Sequence, residues 1–272
     1  MGTGLISFVG AGPGAADLLT LRGVHRLAAA DVVVWASSLV PSAVLEHCRA
    51  SVALHDSAGM TLEDVLAVYT AHPGAAIVRL HSGDVSLYSA LTEQIAWCTR
   101  HGRAFEIVPG VGSLAAAAAA ASVELTAPGV AQSAVLTRLG GGRTAASMPA
   151  GESVAGFARH ATTMVIYLSA ARPAALREEL LVGYPPETPA VVVAKASWPD
   201  ETVITTTVDG LADALTASGI RTAALVLVGP ALAGAGARSR LYDPAYSHGC
   251  RRRSLPGTTT GRAIPPAKRR LP

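Results

Sequence analysis

The chain has 272 residues, of which 50% are hydrophobic and 15% are charged. This composition provides a large core and excludes a wholly disordered protein. Only 4% of the residues are aromatic, so the core must be built from Ala, Val and Leu. No signal peptide is recognisable, and the longest uncharged apolar run, 111–123, is shorter than the roughly 20 residues that cross a bilayer. We therefore expect a soluble, cytoplasmic protein with no membrane partner.

The charge is unevenly distributed along the chain. Residues 246–272 contain seven Lys/Arg and no Asp/Glu, whereas the rest contains 15 Lys/Arg against 19 Asp/Glu. An acidic body argues against a nucleic-acid partner. The basic segment is rich in Pro, Gly and Thr, and it predicts a disordered tail over 246–272. The Cys and His residues show no metal-ligand spacing, so we predict no metal site and no disulfide framework.

Strand-like and helix-like segments alternate through the first half of the chain. Predicted strands are "LISFV" (5–9), "DVVVW" (31–35), "SVALH" (51–55), "AAIVRL" (75–80) and "AFEIV" (104–108). Predicted helices are 20–30, a segment starting at Pro41, 61–71 with a capping box between Thr61 and Asp64, 88–102, and the Ala-rich 111–123. This alternation predicts βαβ crossovers and a parallel sheet in a first α/β domain at about 1–122.

After a linker, "ELTAPG", the alternation resumes. Predicted strands are 132–139, 162–169, 188–197 and 201–208, and predicted helices are 153–161, 173–183 and 208–219. The apolar segment 222–232 closes the domain. The turn "WPD" at 198–200 joins two successive strands and predicts a hairpin. A mixed sheet follows, in a second α/β domain at about 127–245.

The first predicted strand ends in a glycine turn that fits the loose dinucleotide fingerprint, with Gly10, Gly12 and Ala15. Two features oppose a nicotinamide cofactor. The second strand has no acidic residue at its carboxyl end, because Asp31 lies at the other end. Pro13 also removes an amide that phosphate oxygens would need. A tight turn without ligand contacts is a second interpretation, and a different ligand is a third.

Further turns follow other strand ends. Ser82-Gly83-Asp84 follows one strand, and "VPGVGS" at 108–113 follows another. Asp84 could cap the next helix or contact a ligand, and the residues alone leave both roles open. A glycine-rich segment at 135–144 carries Arg138 and Arg143.

Together these motifs resemble the S-adenosylmethionine-dependent tetrapyrrole methyltransferases of the cobalamin and sirohaem pathways, over about 5–250. "GAGPG" and "VPGV" mark the broad family. "AGMTLE", "ELTAPG", "KASWPDE" and "SRLYD" resemble the branch that methylates ring carbon C11.

The resemblance implies two α/β domains with S-adenosylmethionine in the cleft between them, a precorrin as the methyl acceptor, and a homodimer. The glycine turn is then a wall of that cleft. Position by position, the resemblance implies that the cofactor contacts are Pro13, Ser82, Gly83, Asp84, Leu87, Gly112, Ser113, Leu168 and Ala196.

The sequence departs from the family pattern at three points. Ser37 occupies the position of a frequent family Asp, Val85 replaces a Pro, and Gly112 replaces a Thr. The change at Ser37 leaves no obvious general base, so no catalytic residue is assigned.

A methyl transfer can nevertheless proceed mainly through alignment, which supplies roughly 7–11 kcal/mol. The acceptor carries many carboxylates, which require cationic partners. The candidates are Arg79, Arg138, Arg143 and Lys195, and we favour the pair Arg138 and Arg143, although each could be a solvated surface charge. The alternatives are methylation at another ring carbon or of a cobalt-loaded precorrin, a NAD-dependent oxidoreductase, and a ligand-binding module without activity.

Overall fold

The computed structural model describes residues 4–141, 148–149, 151–234 and 236–264. Its first half contains five strands, β1 (Ile6–Gly10), β2 (Val32–Trp35), β3 (Ala53–Asp56), β4 (Ile77–His81) and β5 (Phe105–Val108). The helices in this half are α1 (Leu21–Ala29), α2 (Leu62–Ala71), α3 (Leu91–Arg100) and α4 (Ser113–Ala120). The predicted capping box is present at the start of α2, between Thr61 and Asp64.

The first sheet is parallel throughout and has the order β3-β2-β4-β1-β5. The central strands β1 and β4 are buried along their length, apart from a half-buried Arg79. All five carboxyl ends lie along one edge, which is where ligands bind in open parallel sheets. The sheet therefore brings the predicted turns after β1, β4 and β5 to the same place.

The second half forms a mixed five-stranded sheet in the order β6-β7-β10-β8-β9. Its elements are β6 (Ala134–Arg138), α5 (Val154–Ala158), β7 (Thr163–Tyr167), α6 (Pro173–Leu180), β8 (Pro189–Ala194), β9 (Thr202–Thr207), α7 (Leu211–Ser218) and β10 (Ala224–Val228). The predicted hairpin is confirmed, because β8 and β9 pair antiparallel over six residues each. Only β6 and β7 pair in parallel. The predicted α/β fold class is thus confirmed.

The Ala-rich helix α4 links the two halves. It follows β5 in the chain, yet its buried Ala117 packs in a cluster with Val165, Val191 and Leu225 of the second sheet. Small side chains allow the helix to approach that sheet closely. The domain limits near 122 and 127 therefore stay a prediction. No helix in the described part of the chain combines the length and apolar character needed to cross a membrane.

Two predicted helices differ from the structure at their ends. The segment after Pro41 is a 3-10 helix, Ser42–His47, with Pro41 as its N-cap. The helix predicted from residue 88 begins only at Leu91, because Tyr88 and Ala90 have left-handed backbone conformations with φ of 54° and 46°. A backbone that reverses its handedness at these residues cannot continue an α-helix.

The basic tail differs from the expected disorder over its described part. Two short strands, β11 (Arg251–Arg252) and β12 (Arg262–Ala263), pair antiparallel. The Arg251 guanidinium donates to the carbonyls of Leu241 (2.8 Å) and Asp243 (2.7 Å). This segment is held by hydrogen bonds to backbone carbonyls rather than by an apolar core. Hydrophobic periodicity in the sequence does not reveal such bonds. Residues 265–272 of the predicted tail lie outside the described residues.

Candidate active site

Three glycine-containing loops meet at the carboxyl edge of the first sheet. The amide of Gly12 donates to the carbonyl of Gly83 (3.2 Å), and the amide of Gly83 donates to the carbonyl of Gly12 (2.7 Å). A Cβ atom at Gly10 would lie 2.6 Å from the Cα of Gly110. A Cβ atom at Gly110 would collide with the carbonyl oxygen of Gly83. These loops therefore pack backbone against backbone, and glycine is required because any side chain would separate them.

Asp84 ties two of these loops together. Its carboxylate accepts hydrogen bonds from the amides of Gly110 (2.8 Å) and Ser86 (2.9 Å) and from the Ser86 hydroxyl. Partial burial opposes ionisation, but these hydrogen bonds outweigh it and hold the pKa of Asp84 below its usual value. The N-cap of α3 is Ala90, so Asp84 does not cap that helix. Its structural role is to fix the loop after β4 against the loop after β5.

A small cavity of about 30 Å³ opens between these loops and the second half of the chain. Its walls are Ser82, Gly83, Asp84, Leu87, Gly112, Ser113 and Tyr167. Six of the nine predicted cofactor residues thus surround one space. Tyr167 was not predicted. Its only sequence signal is its place at the carboxyl end of β7, next to the predicted Leu168.

The other three predicted cofactor residues lie outside this cavity. The carbonyl of Pro13 accepts a hydrogen bond from Trp198 Nε1 (2.9 Å). Ala196 is buried in the cluster that packs α4 against the second sheet. Leu168 is 59% exposed and has a left-handed φ of 52°. Pro13 and Ala196 therefore belong to a contact between the two halves, whereas Leu168 projects from the second half.

The loop after β1 leaves few free amides for a pyrophosphate. The amide of Ala11 donates to the carbonyl of His81 (2.8 Å), and the Gly12 amide is bound to Gly83. The amide of Ala15 donates to the Ser197 hydroxyl (3.0 Å). Pro13 has no amide hydrogen. This geometry favours a wall of the cleft over a dinucleotide cradle.

A larger cavity of about 430 Å³ lies elsewhere, between residues 121–128 on one side and residues 231–234 and 236–237 on the other. Small residues and backbone form most of its wall, and Glu124 is the one charged side chain among its lining residues. No predicted site residue lines it. Its size exceeds that of the first cavity, but its wall lacks the convergent polar groups of a reaction site.

The candidate cations have different surroundings. Nη1 of Arg79 donates to the Ser57 hydroxyl (2.7 Å), its Nε has no partner among the described residues, and burial lowers the pKa of Arg79. Lys195 pairs with Asp200 and lies 5.9 Å from the Trp198 ring centre. The guanidinium carbon of Arg138 lies 5.7 Å from the centre of the Tyr88 ring. Arg143 lies outside the described residues, so the favoured pair with Arg138 stays a prediction.

Ser37, at the position of the family Asp, is hydrogen-bonded to the carboxylate of Asp56. Its amide donates to Asp56 at the end of β3 (3.0 Å). Hydrogen bonds from the Ser37 side chain and amide, and from the Ala58 amide, lower the pKa of Asp56. A carboxylate stabilised in its ionised form is a weak base. The neighbourhood of Ser37 therefore supplies negative charge but no well-tuned general base.

The chain is similar in sequence to a known protein family. Residues 5–212 match the family model described as tetrapyrrole (corrin/porphyrin) methylases. The chain belongs to the tetrapyrrole methylase family.

Several relatives of this methylase match over almost their whole length. A precorrin-4 C(11)-methyltransferase of Sinorhizobium sp is 42% identical, covering 89% of this chain and 96% of the relative. A cobalt-precorrin-4 C(11)-methyltransferase of Priestia megaterium is 40% identical, covering 90% and 96%.

Solved structures in the family agree. An X-ray structure of a cobalt precorrin-4 methyltransferase superposes with a TM-score of 0.80 at 40% identity, covering 84% of this chain and 95% of that chain. A uroporphyrin-III C-methyltransferase of Thermus thermophilus, complexed with S-adenosylhomocysteine, has a TM-score of 0.70 at 28% identity. The match covers 85% of this chain and 100% of the Thermus thermophilus chain.

Proposed function

We propose that this tetrapyrrole methylase transfers the methyl group of S-adenosylmethionine to C11 of precorrin-4, giving precorrin-5, in cobalamin biosynthesis. The cavity that unites the loops after β4 and β5 with Tyr167 carries the proposal, because it joins six residues implied by the family resemblance. The near full-length relatives named for C11 methylation support the choice of carbon. A homodimer in the cytoplasm is part of the same proposal.

The residues at the cavity fit part of S-adenosylmethionine. A volume of about 30 Å³ is far below the roughly 300–1,000 Å³ of ligand pockets, so the open cleft must hold the rest of the molecule. Gly112 leaves space, since the nearest atom to an added Cβ would be the Asp84 Cβ at 3.9 Å. Ser82, Gly83, Leu87, Gly112, Ser113 and Tyr167 would hold the donor. When bound, it supplies a methyl group on a positively charged sulfur that becomes neutral as the methyl leaves.

The contribution of the protein is chiefly alignment. The loops around Gly83 and Gly110 are fixed by backbone contacts and by the Asp84 carboxylate, so their positions are set before any ligand binds. Leu87 and Tyr167 give the cavity an apolar side that excludes water. Holding the reactants at the correct distance and angle can supply roughly 7–11 kcal/mol without an acid or base.

Arg79 and Arg138 are the described cations that we assign to the acceptor carboxylates. Arg79 is half-buried with its Nε shielded from water, and its observed hydrogen bond is to the neutral Ser57 hydroxyl. A desolvated guanidinium binds an incoming carboxylate more strongly than a hydrated one. Lys195 is already paired with Asp200. We therefore rank Arg79 above Lys195 for substrate binding.

The test is transfer of a carbon-13 methyl group from labelled S-adenosylmethionine to enzymatically prepared precorrin-4, with the product examined by NMR. Label at C11 is expected. Label at another ring carbon would keep the family and replace the proposed substrate position. Absence of label despite S-adenosylhomocysteine binding would overturn the proposed reaction.

A cobalt-loaded acceptor is a second candidate, because the Priestia megaterium relative is named for cobalt-precorrin-4. The same label experiment with cobalt-precorrin-4 in parallel compares the two. The acceptor with the higher kcat/KM is the substrate of this chain.

A further inference from the structure

Strained backbone conformations are concentrated beside the cleft. Eight described residues other than glycine have positive φ, and five of them are Tyr88, Ala90, Leu168, Lys195 and Ser197. These five follow the carboxyl ends of β4, β7 and β8, next to the candidate active site. A bulky aromatic residue is uncommon in this conformation, and such strain costs about 1–3 kcal/mol. Tyr88 is therefore the residue among them that most needs a functional reason.

Tyr88 reaches across from the first half of the chain to the second. Its ring centre lies 5.1 Å from that of Tyr167, with an angle of 54° between the ring planes. Tyr167 in turn lines the small cavity, as does Ser113. The Tyr88 ring thus stands next to the space assigned to the methyl donor, separated from it by one aromatic side chain.

Tyr88 also retains a large accessible surface. It is 49% exposed in spite of its contact with Tyr167. The Arg138 guanidinium lies 5.7 Å from its ring centre, within the range of a cation–π contact. An exposed aromatic ring beside a cation matches a ligand that has both a conjugated face and carboxylates.

We propose that Tyr88 is a platform against which the conjugated macrocycle of the acceptor stacks, with Arg138 binding one of its carboxylates. This inference rests on the proposed function and adds a substrate-binding residue to it. The left-handed backbone at Tyr88 holds the ring across the cleft, where it contacts Tyr167 at the edge of the small cavity.

The experiment compares the wild type with two variants at one position. Tyr88→Phe keeps the ring and loses only the hydroxyl. Tyr88→Asn removes the ring while tolerating the left-handed backbone, because Asn is enriched in that region. Binding of uroporphyrin III, a stable macrocycle with carboxylates, is measured by porphyrin fluorescence. Binding of S-adenosylhomocysteine is measured by calorimetry.

We expect Tyr88→Asn to weaken uroporphyrin binding about fivefold or more, and Tyr88→Phe to stay within about twofold of the wild type. S-adenosylhomocysteine should bind all three within about twofold, because none of the lining residues changes. The melting temperature of Tyr88→Asn should not fall, since Asn relieves the backbone strain.

Three results would overturn the platform: unchanged uroporphyrin binding in Tyr88→Asn, an equal loss of S-adenosylhomocysteine binding, or a wild type that does not bind uroporphyrin. Failure of the proposed reaction can be distinguished from failure of the platform. A protein that binds uroporphyrin through Tyr88 but transfers no label to precorrin-4 would refute the proposed reaction and leave the platform in place.

Discussion

The two walls of the cleft are made of different material. The wall from the first half is backbone: Gly10, Gly83 and Gly110 approach so closely that side chains are excluded. The wall from the second half is made of side chains, with Trp198 and Tyr167 reaching towards the first half. A backbone wall is rigid and intolerant of change, whereas a side-chain wall can be adjusted residue by residue. We therefore expect substitutions at the tightly packed glycines of the first wall to affect folding most, and those in the second wall to affect binding as well as stability.

The largest effect is expected in the backbone wall. Gly110→Ala would place a Cβ against the carbonyl oxygen of Gly83, and a backbone atom cannot move aside as a side-chain rotamer can. We expect a loss of about 3 kcal/mol or more in the free energy of unfolding, measured by urea denaturation.

The matched control is Gly112→Ala in the same loop. Its Cβ would meet nothing closer than 3.9 Å, so its effect on stability should be below about 1 kcal/mol. Equal destabilisation by the two substitutions would show that the close packing of glycines is not what fixes this wall.

The next largest effect is expected where the side-chain wall meets the backbone wall. Trp198→Ala removes the ring that packs on Gly14 and the hydrogen bond to the Pro13 carbonyl. We expect a loss of about 2–3 kcal/mol in unfolding free energy, because Trp198 is partly exposed. Weaker binding of S-adenosylhomocysteine should accompany it in calorimetry.

Trp198→Phe separates the two contributions. It keeps most of the packing and loses only the hydrogen bond, which corresponds to about 1 kcal/mol. If Trp198→Phe were as damaging as Trp198→Ala, the hydrogen bond rather than ring packing would join the walls.

Acid should weaken the backbone wall through His81, the last residue of β4. Desolvation, and secondarily the neighbouring Arg79 charge, lowers the pKa of His81 to about 3. Between about pH 6.5 and 3 the unfolded chain binds a proton that the folded chain does not, so stability falls as the pH falls through this window. At pH 5 the loss is about 2 kcal/mol.

His81→Leu tests this contribution. The variant should show a shallower decline of unfolding free energy between pH 7 and 5 than the wild type, measured by denaturation at each pH. Parallel pH profiles in the two proteins would contradict a neutral, buried His81.

The smallest effect separates two of the candidate cations, Arg79 and Lys195. Arg79→Met should raise the KM for precorrin-4 about tenfold, because a desolvated charge that binds a carboxylate is lost. Lys195→Met should change it less than about twofold, since the Lys195 side chain is partly exposed and is paired with Asp200. Steady-state kinetics, with S-adenosylhomocysteine binding as a check on folding, measures both. A larger effect at Lys195 would reverse the ranking.

Much of the site was predictable because its residues follow strand ends. Ser82, Gly83 and Asp84 come directly after β4, and Gly112 and Ser113 come shortly after β5. The carboxyl ends of parallel strands share one edge, so predicted strands already predict that these loops meet. The role of Asp84 was not predictable in the same way. Its carboxylate accepts a hydrogen bond from the amide of Gly110, which lies 26 residues further along the chain. The sequence left open a helix cap or a ligand contact for Asp84, and neither role involves Gly110.

The residues that sequence reasoning missed come from the second half or have unusual backbone conformations. Tyr167 ends a buried strand and has no motif of its own, so its place in the cavity wall depends on how the two halves approach each other. The sequence predicts Tyr88 as the first residue of a helix over 88–102. Its positive φ instead keeps it out of α3, which begins three residues later at Leu91.

The sequence by itself determined the alternation of strands and helices, the parallel and mixed sheets, the β8–β9 hairpin and the glycine loops at strand ends. These features depend on local propensity, hydrophobic period and turn residues, which act over a few positions. Only the tertiary structure decided that Tyr167 completes the cavity, that Trp198 binds the Pro13 loop and that Arg251 holds the tail. Those contacts join distant segments, and they form only when packing of the two sheets and α4 brings the segments together.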